Sequence, residues 1–180
     1  MGDTTFSTLL NKTVAIEKAS STVGFEGEVQ SPSFERIFEN APASLMPVQS
    51  KRYDDIPGGY PQISHMAYLE SGHDIEPGDA IVWKVTGSVL SEAVAAGATD
   101  IALGDTSGFE ADRTIEIGSG DEREQAVVAE VGATSITVHE PLQKAHESGE
   151  SAVVVERFEV VELRAWPGLD HHVEVGLSCS

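Results

Sequence analysis

Short runs of alternating apolar and polar residues, each closed by a Gly, Pro, Asp or Ser turn, recur along the whole chain and constrain its fold more than any other feature. Val14 and Ile16 alternate with Thr13, Ala15 and Glu17, and Phe34, Arg36 and Phe38 alternate with Glu35, Ile37 and Glu39. Two half-buried strands are expected, with turn residues between Ser20 and Gly27. A short strand, ASLMPV, follows after Pro42, then a polar Gly/Pro-rich loop from Ser50 to Pro61, then a strand over 62–70. The EPGD sequence at Glu76–Asp79 places Pro where its fixed φ suits a turn and Gly where φ can turn positive. The strand AIVWKVT comes next, with Ile81, Trp83 and Val85 expected on one face.

From about Gly87 the texture shifts to small residues. Strands are expected at Thr99–Leu103, Arg113–Ile117, Gln125–Val131 and Ser135–His139, with short helices at Ser91–Ala96 and Leu142–His146. A long apolar run, AVVVERFEVVELRAW, then leads through the turn WPGLD into HHVEVGLSC, where Val173, Val175 and Leu177 alternate with His172, Glu174 and Gly176. These last strands belong with the first ones. The expected organisation is an all-β chain with a discontinuous β-domain, residues 1–87 and 156–180, and a second small β-domain, residues 88–155, inserted in a hairpin. Such an insertion costs little, because loop-closure entropy grows slowly with length. Two tandem domains with a β tail are the alternative.

The chain has 30 Asp and Glu against 11 Lys and Arg, a formal net charge of −19 over 180 residues. The excess is dispersed: residues 1–87 carry 12 acids and 6 bases, 88–155 carry 13 and 3, and 156–180 carry 5 and 2. A dispersed acidic surface with few lysines suits high salt, where counterions screen self-repulsion. It also argues against gripping nucleic acid, which needs Lys and Arg on phosphates. No apolar stretch approaches the ~20 residues that a membrane helix needs, and the first residues lack the pattern of a secretion signal. A soluble protein that stays where it is made is expected.

No catalytic pattern emerges. His65 and His73 are spaced H-x7-H, and the neighbours His171 and His172 point to opposite faces of a strand, so neither pair chelates an ion by itself. Packing roles are expected for them. The lone Cys179 cannot form an internal disulfide and has no evident base beside it. The stretch Ile117–Glu124 (IGSGDERE) lacks the ending of a phosphate loop and reads as a turn, and Asp100, Asp105, Asp112 and Asp121 lack calcium-loop spacing. No enzyme activity, cofactor or metal is expected. One exception to the charge rule stands out: Lys51 and Arg52 are adjacent bases, followed by Tyr53, Asp54, Asp55 and then Gly58 and Gly59. This is either an ordinary solvated loop or a working loop on a rigid scaffold.

In order along the chain, LLNKTVAIEKASS, ASLMPVQS, the variable loop to Gly59, HMAYLESGHDIEPGDAIVW with its GxDIxPGD turn, and RFEVVELRAWPGLDHHVEVGLS together resemble the head-tail joining family of tailed phages. These proteins are also called head closure, stopper or head completion proteins. The closing piece is the most specific, with Phe158 where the family usually has Tyr; Pro77, Gly78, Asp79, Trp83, Val160, Trp166 and His172 complete the signature. Residues 88–155 depart from the pattern, and resemble small β modules of virion proteins.

The resemblance implies a small β-barrel in a ring of about six or twelve copies, with portal or adaptor proteins above and tail terminator or tail tube proteins below. DNA would pass through the channel without sequence-specific binding, and no membrane is involved. The expected location is the neck of a virion assembled in the host cytoplasm. The loop from Ser50 to Gly59 matches the family's channel-facing segment, which makes Lys51, Arg52, Tyr53, Asp54, Asp55, Gly58 and Gly59 candidates for a gate. Together with the acidity, the resemblance suggests a virus of a halophilic archaeon. A tail completion or minor tail protein is the alternative, and a halophilic β-barrel enzyme or metal-binding protein a remote one.

Overall fold

The computed structural model describes residues 10–20, 33–48, 63–164 and 172–179. Within these residues the fold is all-β and antiparallel, with one 3₁₀ turn at Gly120–Glu122. The strands are β1 (Lys12–Ser20), β2 (Ser33–Pro47), β3 (His65–Glu70), β4 (Ala80–Val89), β5 (Asp100–Ala102), β6 (Thr114–Ile117), β7 (Glu124–Val131), β8 (Ser135–Val138), β9 (Ser151–Arg164) and β10 (His172–Cys179). The helices expected at Ser91–Ala96 and Leu142–His146 are absent. Irregular segments stand there, joined by an isolated bridge between Val94 and His146. Pairing across two loops supplies the backbone partners that a helix would have supplied within one.

The chain divides into two compact units, Met1–Trp83 with Arg157–Ser180, and Lys84–Glu156. The sequence placed the change of texture at 87–88 and 155–156. Strands β4 and β9 run unbroken from one unit into the other, so the division falls inside the strands and not at a turn.

In the first unit the order is β10-β3-β2-β1-β4, and β10 also pairs with β9. Backbone bonds from Gly78 N to Val160 O and from Val160 N to Asp79 O, both 2.8 Å, join β9 to the entry of β4. The strands thus return on themselves in a barrel-like ring. Its core gathers Val14, Ile16, Ala41, Ala43, Ala67, Leu69, Ile81, Phe158, Val160, Val175 and Leu177. In the second unit the order runs β9-β6-β7-β8-β5, around Leu90, Ile101, Leu103, Phe109, Ile115, Ile117, Val128, Ile136, Val138 and Val154.

Three details of the first unit depart from simple alternation. Strand β1 is buried on both faces from Val14 to Glu17. The stretches expected as two strands at 34–39 and 43–48 form one 15-residue strand, β2. Its register against β1 slips twice, Val14 facing Ala41, Ile16 facing Phe38 and Glu17 facing Arg36. Each slip inserts an extra residue in β2, as a β-bulge does, and each resets which face the next side chain takes. Hence the neighbours Ile37 and Phe38 are both exposed; Phe34, in unbroken register opposite Ala19, is exposed as well, and the first half of β2 is not a half-buried strand. In β4, Ile81 and Val82 are both fully buried, Trp83 is half-buried and Val85 is exposed.

The EPGD turn ties these strands together. Gly78 has φ of 97°, a region that Gly enters without penalty. The Asp79 side chain, 2% exposed as a residue, accepts hydrogen bonds from Glu76 N at 2.7 Å and Ala19 N at 3.0 Å, with Lys18 Nζ at 3.6 Å. One buried carboxylate therefore closes its own turn and anchors the end of β1. Asp79→Ala should leave two backbone donors without that acceptor and lower stability by about 2 kcal/mol, in the range for unsatisfied buried groups. Urea unfolding of the two proteins checks this; an unchanged midpoint contradicts it.

Candidate functional site

The signature residues sort into two kinds. Pro77, Gly78, Asp79 and Val160 meet at the turn just described. Phe158 is buried, with the His65 ring 4.8 Å away; Trp83 lies under Lys12 Nζ at 5.0 Å; His172 has Tyr68 at 6.4 Å and Glu174 at 3.8 Å. All of these are packing contacts. Trp166, and the proposed loop residues Lys51, Arg52, Tyr53, Asp54, Asp55, Gly58 and Gly59, lie outside the described residues.

What is described is the base of that loop. Val48 N donates to Ser64 O at 2.9 Å, and Ser64 N and Oγ both donate to Leu177 O, at 2.7 and 3.1 Å. Cys179 Sγ is 3.3 Å from Ser64 Oγ, which places the lone thiol on this framework. Beside it, a cavity of about 330 Å³ is lined by Met46, Pro47, Val48, Met66, Tyr68, Arg164 and Glu174. The ends of β2, β3 and β10 thus form a hydrogen-bonded rim from which the 49–62 segment leaves and returns.

The cations are disposed with equal economy. Glu17, 6% exposed, receives Nε and Nη2 of Arg36 on one oxygen, at 3.2 and 2.8 Å, and Arg157 Nη1 on the other. The Arg157 guanidinium also lies 3.9 Å above the Phe34 ring. Lys18 contacts Asp74, Glu76 and Asp79; Arg113 pairs with Glu156 and Glu110, Arg123 with Glu116, and Arg164 with Glu162. Lys144 donates to the carbonyls of Asp121 and Arg123, and Lys84 is likewise engaged. Among the described residues, then, each Lys and Arg is already engaged by one of the chain's own groups.

Sequence reasoning missed a second charged cluster, in the inserted unit. The buried His146 lies with Nε2 2.8 Å from Glu124 Oε1 and Nδ1 2.9 Å from Glu150 Oε2. Only a ring carrying both N–H protons donates to both carboxylates. Gly118, with φ of 78°, packs on this ring, where a Cβ would come within 3.0 Å of Nδ1. Burial pushes the Glu124 carboxyl up, but hydrogen bonds from Gln143 N, His146 and Lys144 N outweigh it and hold the group below its ordinary 4.5. The His146 hydrogen bond holds Glu150 below the same value. The H-x3-E spacing of His146 and Glu150 was the only visible hint; Glu124 comes from 22 residues earlier.

The acids singled out in the sequence are dispersed. Asp100 accepts from Thr137 Oγ1, Asp105 from Ser107 N and Oγ, and Asp112 lies near His139. Among the described residues no group of three or more His, Cys, Asp or Glu could hold a metal ion. No protein-family model matches the chain, and comparison with curated proteins finds no match.

Two outcomes are expected. Glu17→Ala leaves two guanidiniums without their shared buried partner and should cost ~3 to 5 kcal/mol, read by urea unfolding; a loss under 1 kcal/mol would show the clamp to be decorative. Because Glu124 and Glu150 titrate lower when folded than when unfolded, their stabilisation is complete above the ordinary glutamate value and is lost as pH falls below 4.5. Thermal melts from pH 7 down to pH 3 should fall more steeply for the natural protein than for a Glu124→Gln variant, and parallel curves contradict the assignment.

Proposed function

We propose that this chain is a structural virion protein that forms a ring at the head-tail joint of a tailed virus, connecting portal or adaptor to tail and surrounding the path of packaged DNA. The observation that carries the reading is the barrel-like first unit. The segments with the head-tail joining resemblance, β1 to the EPGD turn and β9 to β10, are the ones that pack into this unit. The inserted unit, which departs from the resemblance, has a core of its own.

The state of the cations supports the same reading. A channel wall that lets DNA move must not hold it, and here the described bases are engaged by the chain itself while Asp74 and Glu76 remain largely exposed. Nothing in the reading needs a cofactor or a catalytic group. The acidic surface further supports a halophilic host, because in molar salt the Debye length shrinks to about 3 Å and the self-repulsion is screened.

Purified protein in molar KCl should form closed rings with a central opening by electron microscopy, should not retard duplex DNA, and should lose both ring and fold in dilute buffer. A monomer at all concentrations, or tight DNA binding, overturns the joint reading; undiminished stability in dilute buffer overturns the halophilic one.

A further inference from the structure

The inserted unit closes on itself. Beyond the order β9-β6-β7-β8-β5, strand β4 lies beside β9, and the end of β4 returns to β5: Leu90 bridges Leu103, Ser91 N donates to Ala102 O at 3.0 Å, and Gly104 N donates to Val89 O at 2.9 Å. On its other side Leu90 N donates to Glu150 O and Leu90 O accepts from Gly149 N, both at 2.8 Å. Six strands thus form a ring, around a core that shares no residue with the core of the first unit. Such a ring opens cooperatively, because no strand leaves it without stranding backbone groups on two neighbours. A chain with two units of this kind is not bound to unfold in one step.

The two units carry their acid at different densities. Residues 84–156 hold 14 Asp and Glu against 4 Lys and Arg, a net −10 over 73 residues, whereas residues 1–83 with 157–180 hold 16 against 7, a net −9 over 107. Counting the His146 ring as charged still leaves −9 on the smaller unit. Its four bases are engaged already, and Glu92, Glu130, Glu140 and Glu147 stand exposed.

Size and screening decide what that charge does. A folded unit of 73 residues has a radius of gyration of about 11 Å. The Debye length is about 3 Å in 1 M salt and about 10 Å in 0.1 M salt. In molar salt each carboxylate is therefore felt only by its nearest neighbours, and after tenfold dilution it is felt across the unit. The repulsion uncovered by dilution bears hardest on the unit with more charge in less volume, and the smaller unit also buries less surface to resist it.

We infer that the inserted unit is the salt-sensitive part of this chain: on dilution it opens first and as a whole, at a salt concentration where the first unit is still folded. The inference rests on the high-salt reading of the acidic surface and says where in the molecule salt acts. The chain supplies its own probe, because its two tryptophans, Trp83 and Trp166, both belong to the first unit, and Trp83 packs on that unit's core. Tryptophan fluorescence follows the first unit, while far-UV circular dichroism follows the strands of both.

The test takes the full chain from about 1 M to about 10 mM KCl, over which the Debye length grows from about 3 to about 30 Å, and reads both signals. Dichroism should show a step at a KCl concentration where fluorescence is unchanged. The variant Glu92→Lys/Glu130→Lys/Glu140→Lys brings the inserted unit from −10 to −4 and should move that step to roughly threefold lower KCl or further, with fluorescence as in the natural protein. The same number of reversals in the first unit, Glu35→Lys/Glu70→Lys/Glu159→Lys, should leave the step in place. Dichroism and fluorescence that fall together, fluorescence that falls first, or a step that the first-unit reversals move as far as the others overturns this inference and leaves the high-salt reading standing. Signals that both stay constant to the lowest salt overturn the two together.

Discussion

A carboxylate taken out of water must be met by cations and donors, and in the first unit Glu17 is the place where that requirement organises the fold. Its two oxygens bring together Arg36 of β2 and Arg157 of β9, so one side chain of β1 binds strands from opposite ends of the sequence. Asp79 acts in the same way with backbone donors, closing its turn and holding the end of β1. Around these two acids the apolar residues of β1, β2, β4, β9 and β10 complete a barrel-like core. Breaking such a pair costs more than forming it gains, because the remaining partner stays buried and charged.

This use of bases inside the molecule explains the character of its surface. With 11 Lys and Arg for 30 Asp and Glu, each cation that neutralises Glu17, Asp79 or Glu116 is withdrawn from solvent-facing duty. The net charge of −19 is therefore expressed mainly outside. Salt screens the self-repulsion of such a surface. The inserted unit follows the same rule on a smaller scale, where His146 sits between Glu124 and Glu150.

Where sequence and structure part company, the reason is tertiary pairing. The run from Leu142 to His146 has helical composition, yet His146 finds its backbone partner in Val94 and its side-chain partners in Glu124 and Glu150. Of these only Glu150 lies within five residues; Val94 and Glu124 are far outside any local window. Phe34, Arg36 and Phe38 alternate in the sequence, but a register slip in β2 falls between Arg36 and Phe38, and a second between Phe38 and Ala41. Periodicity assumes an unbroken ladder, and one inserted residue inverts every face beyond it.

The sequence alone determined the all-β class, the turns that punctuate the strands, the core positions of β10 and the dispersed acidity, because alternation, Gly/Pro chemistry and charge are local properties readable in a short window. The signature suggested by resemblance ran over Pro77, Gly78, Asp79, Trp83, Phe158, Val160, Trp166 and His172, of which Pro77, Gly78, Asp79 and Val160 meet at one turn. Only the tertiary structure decided which acids are buried, which bases answer them and which apolar residues of β2 remain outside. The Glu17 to Arg157 contact spans 140 residues. A pairing of that range depends on the path of every strand between its two ends, and no local pattern encodes it.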